Sequence, residues 1–364
     1  MYRGVLVGAG GFGGAWSRTF LPYFRDRVQI VAVADIDAAA RERAGDSLGV
    51  PADRLYDSYE HMLDEEDADV CFIVIPPAAR TGVVRAAASR SLAILCEKPI
   101  AATWEQTLEI GNIVRAAGIP FAIMQNYREQ SRIRALKQVL QRPELQSINL
   151  IDCRFAVNYT IDTAGGAFRH QIPDAFVYEG AEHHLDQLRN FTGVGADWVQ
   201  GHQWGQPWST FGGNTTLALI IRMCNGVMVT YEMNHVERGP QNGWHSEYYR
   251  INTEGGTVVL DADDVIRIVR DTPSGELVEE VVPMRDDHDE HYALIGQFLD
   301  WLDGGPAPFN TFDDNVETMA LTFAAVEATH TGERVDVGKK LEAGLARLRP
   351  ALTGSSKGSE RACL

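Results

Sequence analysis

Apolar residues are spaced in two ways along this chain, and the change falls about a third of the way in. Before it, short unbroken apolar runs alternate with stretches of helical spacing. Val28-Gln29-Ile30-Val31-Ala32-Val33-Ala34, Val70-Cys71-Phe72-Ile73-Val74-Ile75 and Leu92-Ala93-Ile94-Leu95-Cys96 are such runs. They are rich in β-branched residues and lack the alternation of a half-exposed strand, so they suit strands covered on both faces. Helices are expected over 13–25, 38–44 and 103–117. The last opens with Thr103-Trp104-Glu105-Gln106, the form of a capping box, and Gly118 and Pro120 end it. Strand and helix in rotation predict an α/β fold whose N-terminal part, residues 1–125, is a doubly wound parallel sheet.

The second pattern is strand-dominated. A helix over 132–141 leads to a long strand-like run over 146–159, and a further helix is expected over 182–191. Strand-like runs follow over 198–204, 215–222, 227–235, 246–253, 257–260 and 265–269. Asn225-Gly226 and Glu254-Gly255-Gly256 supply turns between them. This predicts a C-terminal α+β domain over 126–335 with an open, mostly antiparallel sheet, closed by helices over 290–302 and 313–330. Its broad sheet is expected to offer an apolar face for packing as a homodimer or homotetramer. Residues 336–364 form a C-terminal segment, with a frayed tail over 354–364.

Charge narrows the partners. The 364 residues carry a formal net charge of -17, which argues against a nucleic-acid surface and against an anionic membrane. No apolar run approaches the ~20 residues of a bilayer span. The cysteines at 71, 96, 153, 224 and 363 form no C-x-x-C pair and are odd in number, so buried thiols in a reducing, cytoplasmic setting are expected.

The chemistry begins at Val5-Leu6-Val7-Gly8-Ala9-Gly10-Gly11-Phe12-Gly13. This is a strand running into Gly-x-Gly-x-x-Gly and a helix start. Gly8 permits a sharp turn, Gly10 lets backbone approach a pyrophosphate, and Gly13 lets helix and strand pack closely. The helix N-terminus favours the phosphate charge. A tight turn with no ligand is the competing reading. Asp35 ends the next strand 22 residues after Gly13. A carboxylate there accepts from both ribose hydroxyls and repels a 2′-phosphate, which favours NAD over NADP. Its alternative role is to cap the helix that begins near Ala38. Ligands of such sheets lie beyond the carboxyl ends of the strands, and that edge collects Gly8, Asp35, Pro76, Lys98 and Asn126. With Gly10, Phe12, Gly13 and Glu97 these are the expected cofactor-binding residues.

Lys98 leaves a buried strand between Glu97 and Pro99, and an ammonium there can stabilise a developing alkoxide. Far along the chain, Glu179 and His183 stand four apart at a helix start, where a carboxylate would tune an imidazole for proton transfer. A capped helix start with an ordinary pair explains the same spacing. His183-His184 lack a further Cys/His cluster at ligand spacing, and the run Asp286-Asp287-His288-Asp289-Glu290-His291, tempting as a metal site, reads better as the charged start of the helix it precedes, so no metal is expected. Trp198, Trp204 and Trp208 suit either strand packing or a sugar platform.

Together, Gly8–Gly13, Asp35, Glu97-Lys98-Pro99 and the run from Glu179 to Asp186 resemble the Gfo/Idh/MocA oxidoreductases over about residues 1–335. The resemblance implies a Rossmann domain, a substrate-binding α/β domain, and hydride transfer between NAD(P) and a secondary hydroxyl of a sugar, cyclitol or related polyol. It makes Lys98 and His183 the catalytic pair. Glu179 replaces the usual Asp, to touch substrate or orient His183. Arg128 matches a position often near the substrate. Ala181 stands where glycine is common, and Arg80 where histidine is frequent. Two other classes fit the same residues: a redox-neutral enzyme that oxidises its sugar transiently, and a non-catalytic NAD sensor.

Overall fold

The computed structural model describes all residues except 161–173, 175, 283–289 and 350–364, together with the side chain of Glu179. The chain divides into two compact units. The first holds Met1–Asn126, His291–Met319 and the stretch from Ala343; the second holds Tyr127–Glu290 and Ala320–Glu342.

The first unit is built on a six-stranded parallel sheet. Its strands are β1 (Tyr2–Val7), β2 (Val28–Ala34), β3 (Leu55–Tyr56), β4 (Val70–Ile73), β5 (Ala93–Cys96) and β6 (Phe121–Ile123), in the order β3-β2-β1-β4-β5-β6. This is the dinucleotide-binding winding, with its switch of direction between β1 and β4. Val5, Leu6, Phe72, Ile73, Ile94 and Leu95 are fully buried, as the unbroken apolar runs require. Only half of the expected capping box forms: the Thr103 hydroxyl accepts from Gln106 N–H at 3.1 Å, but the Gln106 side-chain oxygen accepts nothing in return, and Gly118 closes the helix Trp104–Ala117 at φ 66°. A late helix, Glu290–Leu302, sends Leu294, Ile295, Phe298 and Leu299 into the same core as Trp16, Phe24 and Phe72. The helix after the glycine turn is not regular. It winds as a π turn over Trp16–Phe20 before Leu21–Tyr23. Pro22 cannot donate to the Arg18 carbonyl and its ring would crowd it, which the widened turn relieves.

The second unit is built on a nine-stranded sheet. Its strands are β7 (Ile148–Ala156), β8 (Ala196–Trp204), β9 (Thr216–Met223), β10 (Met228–Asn234), β11 (Tyr248–Thr253), β12 (Gly256–Leu260), β13 (Ile266–Asp271), β14 (Leu277–Val282) and β15 (Val335–Asp336). The order is β14-β13-β12-β11-β7-β10-β9-β8-β15, and only β7 and β10 run parallel. The expected run over 146–159 is shorter as a strand, and β14 was not anticipated. Four of the six β14 residues are Leu or Val, but the strand lies at an edge and is exposed, so it lacks the alternation that marks a half-buried strand. The outer face of this sheet is mixed: Ile220 and Val281 are exposed and Leu150, Met228 and Val259 part-exposed on it, while charges between them are paired, Arg250–Asp152 at 2.9 Å, Arg154–Glu232 at 3.4 Å and Arg222–Asp197 at 3.1 Å.

Cys71, Cys96 and Cys153 are buried free thiols, whereas Cys224 is disulfide-bonded, against the expectation of thiols throughout. Among the described residues no helix is long and apolar enough to cross a membrane, and no group of His, Cys, Asp or Glu could hold a metal ion. The tail over 354–364, the run 286–289 and Cys363 lie outside the described residues.

Candidate active site

In the first unit the glycine turn joins β1 to its helix with no room for side chains. A Cβ on Gly8, whose φ is 95°, would lie 2.2 Å from the Val74 carbonyl oxygen beyond β4. A Cβ on Gly13 would lie 2.3 Å from the Gly8 carbonyl oxygen. The two glycines are thus required by the approach of β4 and of the helix to β1. Gly10 is different: the space its Cβ would take is bounded by Asp35 Oδ2 at 3.6 Å, which leaves a cradle at the helix N-terminus. Asp35 is bound into the same turn. Its Oδ2 accepts from the N–H groups of Ala9 at 2.6 Å and Gly10 at 2.9 Å. The helix cap is Asp37, which accepts from Ala39 N–H at 3.0 Å, so the alternative role for Asp35 is not the one the fold uses. Arg41 donates to the Asp35 carbonyl at 2.6 Å. The cradle, the acid and the strand order fit a dinucleotide with its ribose at Asp35 and its pyrophosphate over Gly10.

Lys98 follows β5 on the same sheet edge, and its main chain is held from two sides. Arg80 is buried and donates to the carbonyls of Ile75 at 2.9 Å and Lys98 at 3.2 Å, and to those of Glu97 and Pro99. The Lys98–Pro99 peptide is cis. One guanidinium thereby ties the end of β4 to the turn after β5. Pro76 sets up this contact by opening the short 3-10 turn Pro77–Ala79 that delivers Arg80. On the other side Glu97 Oε2 accepts from Lys98 N–H at 3.1 Å. Glu97 Oε1 accepts from the Trp16 indole at 2.9 Å and faces His291 Nε2 at 3.6 Å. Burial opposes charge on Glu97, but His291, Trp16 and the Lys98 cation outweigh it and hold the carboxyl below its ordinary value. His291 stacks on Phe20 at 4.4 Å, lies 5.4 Å from the half-exposed Phe12 ring, and reaches the Asn126 amide at 3.5 Å.

His183 lies in the second unit, on the helix Glu182–Thr192, whose residues are buried all the way round through Phe191. Such a helix must pair its polar groups. Arg128 donates to Asp186 at 2.7 and 2.5 Å, Lys137 donates to Asn190 at 2.5 Å, and His184 Nδ1 meets the Tyr231 hydroxyl at 2.7 Å. On its other side His184 Nε2 faces Glu247 at 3.4 Å. Burial resists charge on Glu247, yet His184 and Arg132 hold its carboxyl below the usual value. The His183 ring stacks on Tyr127 at 4.0 Å and 16°. Glu179 lies in the π turn Val177–Ala181, so the 3.6-residue spacing that put it on one face with His183 does not apply there. Its side chain lies outside the described residues. Arg128, expected near the substrate, spends two N–H groups on the helix that carries His183.

The comparisons with known proteins agree with the fold. A family model described as GFO_IDH_MocA, oxidoreductase family, NAD-binding Rossmann fold, matches residues 2–124. An uncharacterised Sinorhizobium fredii protein, y4oX, is 31% identical over 94% of this chain and 97% of its own. The chain belongs to the Gfo/Idh/MocA family. Within the family, the D-apiose dehydrogenase of Paraburkholderia graminis is 24% identical over 99% of this chain and 95% of its own. An Agrobacterium radiobacter oxidoreductase, solved with NAD+, L-tartaric acid and magnesium, shares the fold with a TM-score of 0.81 at 20% identity, over 93% of this chain and 99% of its own. As a Gfo/Idh/MocA protein the chain is an NAD-binding oxidoreductase. Arg80 and His291 were not foreseen as supports of Lys98, nor Tyr127 and Trp244 beside His183, nor Glu247 beside His184. Of these only Arg80 carried a signal, a cation four residues after the Pro76-Pro77 strand end.

Proposed function

We propose that this protein is a dehydrogenase that oxidises a secondary hydroxyl of a sugar, cyclitol or related polyol. His183 takes the hydroxyl proton, and Lys98 steadies the negative charge that grows on the oxygen. Glu179 tunes His183, and Arg128 fixes the His183 helix through Asp186. The dinucleotide, when bound, supplies the hydride acceptor. Gly8, Gly10 and Gly13 leave room for it, and Asp35 favours NAD over NADP by its charge at the ribose. The reading rests most on one observation: Arg80 and Glu97 grip the Lys98 main chain from opposite sides on the nucleotide edge of the parallel sheet. The sugar class draws support from the D-apiose dehydrogenase among the relatives. A homodimer or homotetramer in the cytoplasm completes the proposal: the apolar positions on the outer face of the nine-stranded sheet favour assembly, and three buried free thiols favour the compartment, although Cys224 is disulfide-bonded.

The test is an NAD reduction screen over inositols, aldoses and sugar acids, followed by Lys98→Ala and His183→Asn. Each substitution should cut kcat by about 10²–10⁴ while NADH affinity, read by fluorescence, barely moves. Normal rates in Lys98→Ala would end the mechanism. Product formed with NAD retained and no free NADH would show the redox-neutral alternative instead.

A further inference from the structure

One aromatic ring beside His183 is a third exposed, and nothing in the chemistry above uses it. Trp244 lies between β10 and β11, with 36% of its surface open. Its segment is pinned rather than loose. Asn242 exchanges both backbone hydrogen bonds with Ala156, at 2.9 and 3.0 Å, and its amide donates to Asp261 at 2.8 Å. The ring itself is fixed. Its indole N–H donates to the Tyr159 hydroxyl, and it packs on Phe155 at 4.8 Å and 61°. From there it stands edge-to-face with His183 at 6.4 Å and 83°. Because the N–H is already paired, the ring has only its π surface left to offer a ligand. Polar groups stand close by: Tyr127 links His183 to His245, whose Nδ1 reaches Gln130 at 3.1 Å and Glu290 at 2.5 Å.

A flat apolar face next to an imidazole, with amide and carboxylate groups nearby, matches one kind of small molecule. Ring-closed sugars and cyclitols carry a face of C–H bonds and a rim of hydroxyls. An open-chain polyol has no such face until it is ordered, at an entropy cost. We infer that Trp244 is the stacking platform for the substrate, and that the protein therefore selects ring-closed sugars or cyclitols over open-chain polyols. This rests on the function proposed above.

The experiment compares wild type, Trp244→Ala, Trp244→Leu and Trp244→Phe on myo-inositol, D-xylose and D-glucose against xylitol and sorbitol. Wild type should turn over at least one ring compound and neither alditol. Loss of the flat ring in Trp244→Ala or Trp244→Leu should raise KM for that compound about tenfold or more, whereas kcat and NADH affinity should stay within about threefold. Trp244→Phe should keep KM within about threefold of wild type. Should the alanine variant fail to fold, the leucine variant carries the comparison, since it keeps apolar bulk without a π face. An unchanged KM in either variant, or an alditol as the better wild-type substrate, overturns the inference and leaves the dehydrogenase reading standing. Wild type inert toward every sugar and polyol would sink the dehydrogenase reading, and the inference with it.

Discussion

The nucleotide edge of the first unit and the His183 helix of the second are held in different ways. At the nucleotide edge the main chain makes most of the contacts. Asp35 binds two turn amides, Arg80 binds four carbonyls, and Gly8 and Gly13 exist to let backbone meet backbone. Around His183 side chain meets side chain: Tyr127 on His183, Arg128 on Asp186, His184 between Tyr231 and Glu247. A main-chain site tolerates exchange of many neighbours provided the glycines stay. A side-chain site depends on partners brought from distant strands, and each partner is a separate point of failure.

The sharpest way to break this contrast is to remove one buried charge. Glu247→Ala leaves Arg132 and His184 facing an empty acid position, and should cost about 3–5 kcal/mol of stability in denaturant melts. A loss below about 1 kcal/mol would mean that the His183 helix is held by packing alone. Next in size is Gly13→Ala. Its Cβ must push aside the Gly8 carbonyl, so the expected cost is about 1–3 kcal/mol together with weaker NADH binding by titration. Unchanged NADH affinity would show that the turn is shaped by its strand neighbours and not for a ligand.

Arg80→Lys keeps the charge but not the fork that spans four carbonyls. We expect kcat to fall about tenfold with KM for the sugar little changed, because Lys98 would lose its fixed exit. A fall in NADH affinity instead of kcat would recast Arg80 as a support of the nucleotide. The smallest effect concerns acid. Glu97 and Glu247 are both held below the ordinary 4.5. A carboxyl depressed in the folded state adds stability above its unfolded value, and that stability is lost as pH falls through the folded value. Melting temperature should therefore drop between about pH 5 and pH 3, and Glu97→Gln and Glu247→Gln should each flatten that drop. Equal slopes in wild type and both variants would remove these two groups from the acid response.

The same contrast decides what could be read from the sequence. The parallel sheet and its cradle were legible because they depend on local spacing: three glycines, Asp35 after a β-branched run, Lys98 at a strand end. The family resemblance added His183. The supports of His183 left no local mark. Tyr127 and Glu247 look like any aromatic and any acid, and they stand at His183 and at its neighbour His184 from segments more than 50 residues away in the chain. Trp244 was passed over for Trp198, Trp204 and Trp208, which alternate with polar residues. Of these, Trp198 packs under Arg334 at 5.4 Å and Trp204 beside His202 at 6.0 Å. His291 belonged to an acidic run that read as a charged helix start, and its role emerged only when the chain returned to the first unit.

That return has a bearing on how the protein is made. The nucleotide-binding sheet is complete by Ile123, but Leu294, Ile295, Phe298 and Leu299 belong to its core. A ribosome must therefore finish most of the message before the earliest strands can be fully covered. Until then those strands keep a sticky flank, and a gene fragment cut after the first 126 codons would be a poor source of free nucleotide-binding module.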